Sequence, residues 1–203
     1  MMTERFADAV KLAVHLHRDQ MRKGSNVPYV SHLLRVAGMV LELGATSATT
    51  GADEDTAIAA MLHDAVEDQG GLQTAKLICE QFGERVERFV LECSDSVTGT
   101  DQPKRPWRER KEVMIASIKD LTPETRLIIA CDKLDNLRCT VNDYPKSGPE
   151  FWKRFSGGRE GTLWYYRSMI DALRNTGCCP IWEELEITLA RLKRLIKERE
   201  NQP

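Results

Sequence analysis

Apolar residues recur three and four positions apart along nearly the whole chain, and no segment pairs strict apolar alternation with a hairpin turn. This pattern predicts an all-α fold. Phe6, Val10, Ala13, Val14 and Met21 draw one stripe on a first helix over Thr3–Met21, which Gly24 ends. The segment GSNVPYV holds Pro28 and is expected to be extended, because proline keeps its predecessor out of the helical region. A second helix is expected over Ser31–Leu43, stopping at Gly44, with Thr46–Ala52 a polar loop. Asp53 is placed to cap a third helix, whose apolar body AIAAML runs into HDAVED before Gly70 and Gly71 end it. Gln73–Phe82 and Glu84–Ser94 read as two further helices split by Gly83.

The stretch TGTDQPKRP, between Val97 and Trp107, has no apolar face and reads as a mobile surface loop. Helix returns over Trp107–Ile118. The next helix opens with Thr122 as cap and Pro123 in its first turn, and Leu127, Ile128, Ala130, Cys131, Leu134 and Leu137 face the core. Two prolines and three glycines around FWKRF make Asn142–Gly158 a long loop holding at most one helical turn. Leu163–Arg174 and an amphipathic segment opened by Pro180, Ile181–Glu198, complete the chain, the latter turning Leu185, Leu189, Leu192 and Ile196 inward. There is no internal repeat.

Composition narrows the class. The 203 residues, 41% hydrophobic and 30% charged, suffice for one core, so residues 1–203 are expected to form a single domain. A net charge of −2 argues against a chain held to nucleic acid or anionic membrane by bulk electrostatics, so phosphate binding must be local. The longest apolar runs, such as Ala57–Leu62, fall far short of the roughly 20 residues that span a bilayer. The start MMTERFADAV lacks the apolar core of a signal peptide, and a cytoplasmic location is expected. Six cysteines without a CxxC read as reduced thiols, with Cys178 and Cys179 the one adjacent pair.

Chemistry concentrates in a few segments. In MLHDAVED, Glu67 stands four residues after His63 and Asp68 four after Asp64, so that on a helix four polar side chains border one groove of an otherwise apolar surface. His32 opens the second helix, and Asp132 sits within the core-facing IIACDKLDN. An unpaired carboxylate there would cost several kcal/mol, so Asp132 requires a partner, either a basic residue or a cation. Two imidazoles and two carboxylates suit Mn²⁺, Fe²⁺ or Zn²⁺ better than Ca²⁺.

Five pieces in this order, HRDQMRKG, PYVSH, AAMLHDAVED, FGERV and DKLDN, resemble the HD-superfamily metal-dependent phosphohydrolases. Within that superfamily they are most similar to the small Mesh1-like alarmone hydrolases and to the hydrolase half of RelA/SpoT proteins, over residues 5–175. The resemblance implies an HD-domain helical bundle of about eight to ten helices with one Mn²⁺ per chain held by His32, His63, Asp64 and Asp132. It implies that Glu67 and Asp68 position and activate the attacking water, and that Arg22, Lys23 and Asn136 bind the nucleotide. The implied reaction is removal of the 3′-pyrophosphate of (p)ppGpp, giving GDP or GTP.

The chain also departs from that pattern. Leu33 replaces a proline, Gln69 a threonine, Ile129 a lysine, and Asp135 the histidine or tyrosine before Asn136. The last two leave the base open between guanine and adenine. Rival readings are a phosphohydrolase acting on ppApp or on the 2′-phosphate of NADPH, and a non-catalytic alarmone-binding or toxin-neutralising protein. A homo-oligomer is compatible with all of them. His17 reads as a core residue or a support for a ligand, and His15 as a surface one. Trp164, Tyr165 and Tyr166 fit either a core or a base-stacking role, and the basic residues of KRPWRERK a solvated face.

Overall fold

The computed structural model describes residues 2–46, 51–97, 103–177 and 181–201. Among them are ten α-helices: α1 Glu4–Leu16, α2 Val30–Thr46, α3 Glu54–Leu62, α4 Ala65–Asp68, α5 Leu72–Phe82, α6 Glu84–Cys93, α7 Trp107–Ser117, α8 Pro123–Ser147, α9 Gly158–Asn175 and α10 Ile181–Glu200. Two 3-10 segments, Ile118–Asp120 and Gly148–Arg154, follow α7 and α8. Extended pairing among the described residues is confined to one bridge between Met21 and Pro28.

Helix α3 is innermost, with every residue of Thr56–Leu62 buried, as a helix apolar on all sides must be. Helices α1, α2, α6 and α8 pack around it. It begins where expected: the Asp53 carboxylate accepts the Thr56 amide at 3.1 Å while the Asp53 amide donates to the Thr56 hydroxyl at 3.3 Å, a reciprocal cap. Helix α10 lies along α8 and buries Leu185, Leu189, Leu192 and Ile196.

Four boundaries differ from the sequence pattern. Helix α1 stops at Leu16, not Met21, because the chain turns at His17 and pairs back on itself: the Arg22 amide donates to the Val27 carbonyl and the Tyr29 amide to that of Gln20, both at 2.9 Å. Met21, expected on the core stripe, is therefore exposed, and Val14, though within α1, also faces solvent. Helix α2 runs through Gly44 to Thr46. A Cβ at Gly44 would stand 2.3 Å from that of Ala52, so the glycine answers a close approach instead of ending the helix.

The expected loop over 142–158 is mostly helical, since α8 continues through Pro145 to Ser147. Proline inside a helix costs about 3 kcal/mol. Against this stand the buried Tyr144, Phe151 and Trp152, which pack on one another, each large side chain contributing about 1.5–3 kcal/mol. Arg199 Nη1 also donates to the Pro145 carbonyl at 2.9 Å. Helix α9 starts at Gly158, earlier than Leu163, because the face around Gly157 and Gly161 receives the Trp107 ring, which a Cβ at Gly157 would meet at 2.5 Å. Cys79, Cys93 and Cys139 are free thiols. Cys178, Cys179 and Pro180, the polar positions 47–50 and the loop positions 98–102 lie outside the described residues.

Candidate active site

Three elements meet beside the inner helix. His32 lies in the first turn of α2, His63 and Asp64 follow α3, and Asp132 and Asn136 lie midway along α8. Instead of riding on a continuous helix, the His63–Asp64 pair occupies a break between α3 and the single turn α4. His63 Nδ1 donates to the Ala60 carbonyl at 2.9 Å, the acceptor an unbroken helix would offer to the Asp64 amide. His32 Nδ1 donates to Asp135 Oδ2 at 2.6 Å. Each imidazole thus spends its Nδ1 on an acceptor and turns Nε2 inward.

Both Nε2 atoms are buried without a hydrogen-bond partner. Asp132 Oδ1 lies 3.2 Å from that of His32 and 3.8 Å from that of His63, and Asp64 Oδ2 lies 3.7 and 3.0 Å from the same atoms. Donor atoms of His32, His63 and Asp132 fall within 4.8 Å of one another. Asp64 faces both rings while accepting the Tyr29 hydroxyl at 2.6 Å. Burial pushes the His63 pKa down, but Asp64 and Asp132 overcome it and hold it well above the usual range. Asp132 moves the other way: burial opposes ionisation, and Lys133 and the two histidines outweigh it. Two orphaned imidazole nitrogens against two carboxylates fit a divalent metal ion, which would take the place of the proton drawn onto His63.

A cleft of about 400 Å³ opens over these residues. Glu67 and Asp68, on α4, line it beside Arg22, Lys23, Lys133 and Asn136. Burial raises the pKa of both acids; the charges of Asp95 and Asp64 add to it at Glu67, and that of Asp64 at Asp68. Arg22 Nη2 donates to Asn136 Oδ1 at 2.9 Å, and Asn136 Nδ2 donates to Asp132 Oδ1. Arg22 and Lys23 therefore stand on the bridged turn between α1 and α2, not at a helix end.

The HD domain family matches residues 9–162. The chain belongs to the HD-domain family. It is 30% identical over 173 residues to the guanosine-3′,5′-bis(diphosphate) 3′-pyrophosphohydrolase MESH1 of Drosophila melanogaster, covering 85% of this chain and 86% of that one. With the Homo sapiens MESH1 it shares 33% over 147 residues, 71% and 72% of the two chains. A solved structure described as a metazoan ortholog of SpoT that hydrolyzes ppGpp superposes with a TM-score of 0.69 at 28% identity, covering 98% of this chain and 97% of that one.

Further groups support the site of this HD-domain protein, among them His17, which the sequence marks as a core residue or a support for a ligand. His17 is buried and its Nδ1 donates to Gln20 Oε1 at 2.6 Å; Gln69 Nε2 donates to the same oxygen at 2.7 Å, and Gln20 Nε2 donates to Asp68 Oδ2 at 2.8 Å. Asp68 is thus held by a chain of amides. Arg110 and Lys111, read as a solvated face, line the cleft and pair with the buried carboxylate of Asp95. Arg110 also lies 3.7 Å from Glu67, and Lys104 lies 3.4 Å from it. Tyr165 and Tyr166 are buried cleft residues, whereas Trp164 packs under Arg108, away from the cleft. His15 is exposed.

Proposed function

We propose that the chain, acting as one hydrolase unit over residues 1–203, hydrolyses the 3′-pyrophosphate of (p)ppGpp-type nucleotides to GDP or GTP and pyrophosphate, using one Mn²⁺ held by His32, His63, Asp64 and Asp132. The observation that carries this reading is the pair of partnerless imidazole nitrogens facing Asp132 and Asp64 under a cleft walled by Arg22, Lys23, Arg110, Lys111 and Lys133. Acidic donors below and cations around the rim suit a substrate with phosphates at two ends. A bound divalent cation supplies Lewis acidity, lowering the pKa of water and neutralising phosphate oxygens.

The chain's own groups do the rest. Glu67 and Asp68, made more basic by burial and by neighbouring carboxylates, accept the proton of the attacking water. Water's oxygen joins the pyrophosphate, the bond to the 3′ oxygen breaks, and that oxygen takes up a proton as the nucleotide's 3′-hydroxyl. Arg22, anchored through Asn136 to Asp132, ties the position of the phosphates to that of the donor set. A chromatographic product assay with ppGpp, pppGpp, ppApp and NADPH in Mn²⁺ tests the reaction. GDP and pyrophosphate from ppGpp are the expected products, whereas release of phosphate from NADPH alone, or no turnover of any of the four, would remove it.

Arg22→Ala is expected to raise KM for ppGpp about tenfold, the loss of one charge-assisted contact, with little change in melting temperature. A variant that melts several degrees lower and keeps its KM would show that Arg22 serves the turn and not the nucleotide.

A further inference from the structure

Asp135 belongs neither to the donor set nor to the groups assigned to substrate, yet polar groups from two other segments converge on its buried carboxylate. His32 Nδ1 donates to Oδ2 at 2.6 Å, Arg35 grips both oxygens through Nε and Nη2, and Arg22 Nη1 lies 3.6 Å from Oδ2. Arg35 follows His32 by one turn of α2, so a single carboxylate on α8 closes against two successive positions of the facing helix. It stands where the resemblance to the alarmone hydrolases leads one to expect histidine or tyrosine.

The consequences run in two directions. A proton held on Nδ1 by a fixed acceptor leaves Nε2 as the lone-pair nitrogen and sets the plane of the ring, and Nε2 is the atom that faces Asp132 at 3.2 Å. On its other side Arg22 lies between Asp135 and Asn136, so the same carboxylate limits where that guanidinium can point. We propose that Asp135, clamped by Arg35, is a positioning residue that presents His32 Nε2 to the metal and holds Arg22 in the cleft. The proposal rests on the reading of His32, His63, Asp64 and Asp132 as metal donors.

Titrating the metal-free full chain with Co²⁺, followed by visible absorption, tests this without turnover. Asp135→Asn keeps the shape, loses the charge and turns an amide toward Arg35. It is expected to weaken Co²⁺ binding roughly 10- to 100-fold, the scale of losing an outer partner of a ligating histidine, and to alter the absorption band. Nitrogen NMR should show the His32 ring leaving its single tautomer, and KM for ppGpp should rise several-fold. Arg35→Gln, at a side chain 44% exposed, should give a smaller loss that does not add to that of Asp135→Asn.

Parent-like Co²⁺ affinity and spectrum in a folded Asp135→Asn variant would overturn the proposal alone. If that variant does not fold, unchanged binding and His32 tautomer in Arg35→Gln would overturn it instead. Failure of the parent chain itself to bind Co²⁺ would remove the metal reading and this proposal with it.

Discussion

Asp132→Asn is expected to strip the chain of metal and to lower turnover of ppGpp by at least roughly a thousandfold, about 4 kcal/mol of barrier. The substitution is nearly isosteric, so the helix need not move. What it removes is charge at the one group that the site's elements all approach: His32 from α2, His63 from the end of α3, and Lys133 and Asn136 from its own helix. An amide in that place offers a weaker, neutral donor to a cation and deprives the half-buried Lys133 ammonium of its adjacent anion. Elemental analysis of the purified variant should show metal below a tenth of the parent's, with an unchanged far-ultraviolet helix signal. A variant with full metal content and full turnover would mean that the donor set lies elsewhere.

A second large effect is expected from Glu67→Gln combined with Asp68→Asn. Turnover should fall by about a hundredfold or more, the scale of lost acid and base assistance, while metal content stays at the parent's level. The two carboxylates sit one turn beyond the His63–Asp64 break and are held by different means, Glu67 by Lys104 and Arg110, Asp68 by Gln20. Their amides can keep hydrogen bonds to these neighbours, so a fall in turnover reports lost basicity instead of collapse. Unchanged turnover in the double variant would show that neither acid takes a proton in the reaction. Loss of metal in parallel with turnover would place one of them among the donors.

What was legible in the sequence follows a physical line. Asp53 and Thr122 were readable as caps because a cap is a local event within four residues. The apolar run before His63 was readable because a helix buried on all sides has no polar face. Asp132 stood out because a carboxylate in a core-facing stretch must be compensated. Arg35, Gln20 and Arg110 did not stand out, and Asp135 did so only as a departure from the resemblance, since each is polar at a position where solvent would serve equally well, and only the facing element gives it a partner. The same holds at Pro145 and Gly157. Local rules read Pro145 as a helix breaker and place a loop up to Gly158, whereas tertiary packing from Arg199 carries α8 through the proline and the Trp107 ring seats on the small residues where α9 begins.

Helix α8 carries Asp132, Asn136, Cys139, Thr140 and Asp143 on the cleft side. A helix cannot gain one residue without turning everything beyond it by about 100°, so this edge is a ruler, fixed at about 16 Å from Asp132 to Asp143 by a rise of 1.5 Å per residue. Related chains that accept longer or shorter ligands cannot restretch that scale by small insertions. They must instead change the opposite wall, which Trp107 and Arg110 of α7 and Tyr165 of α9 supply.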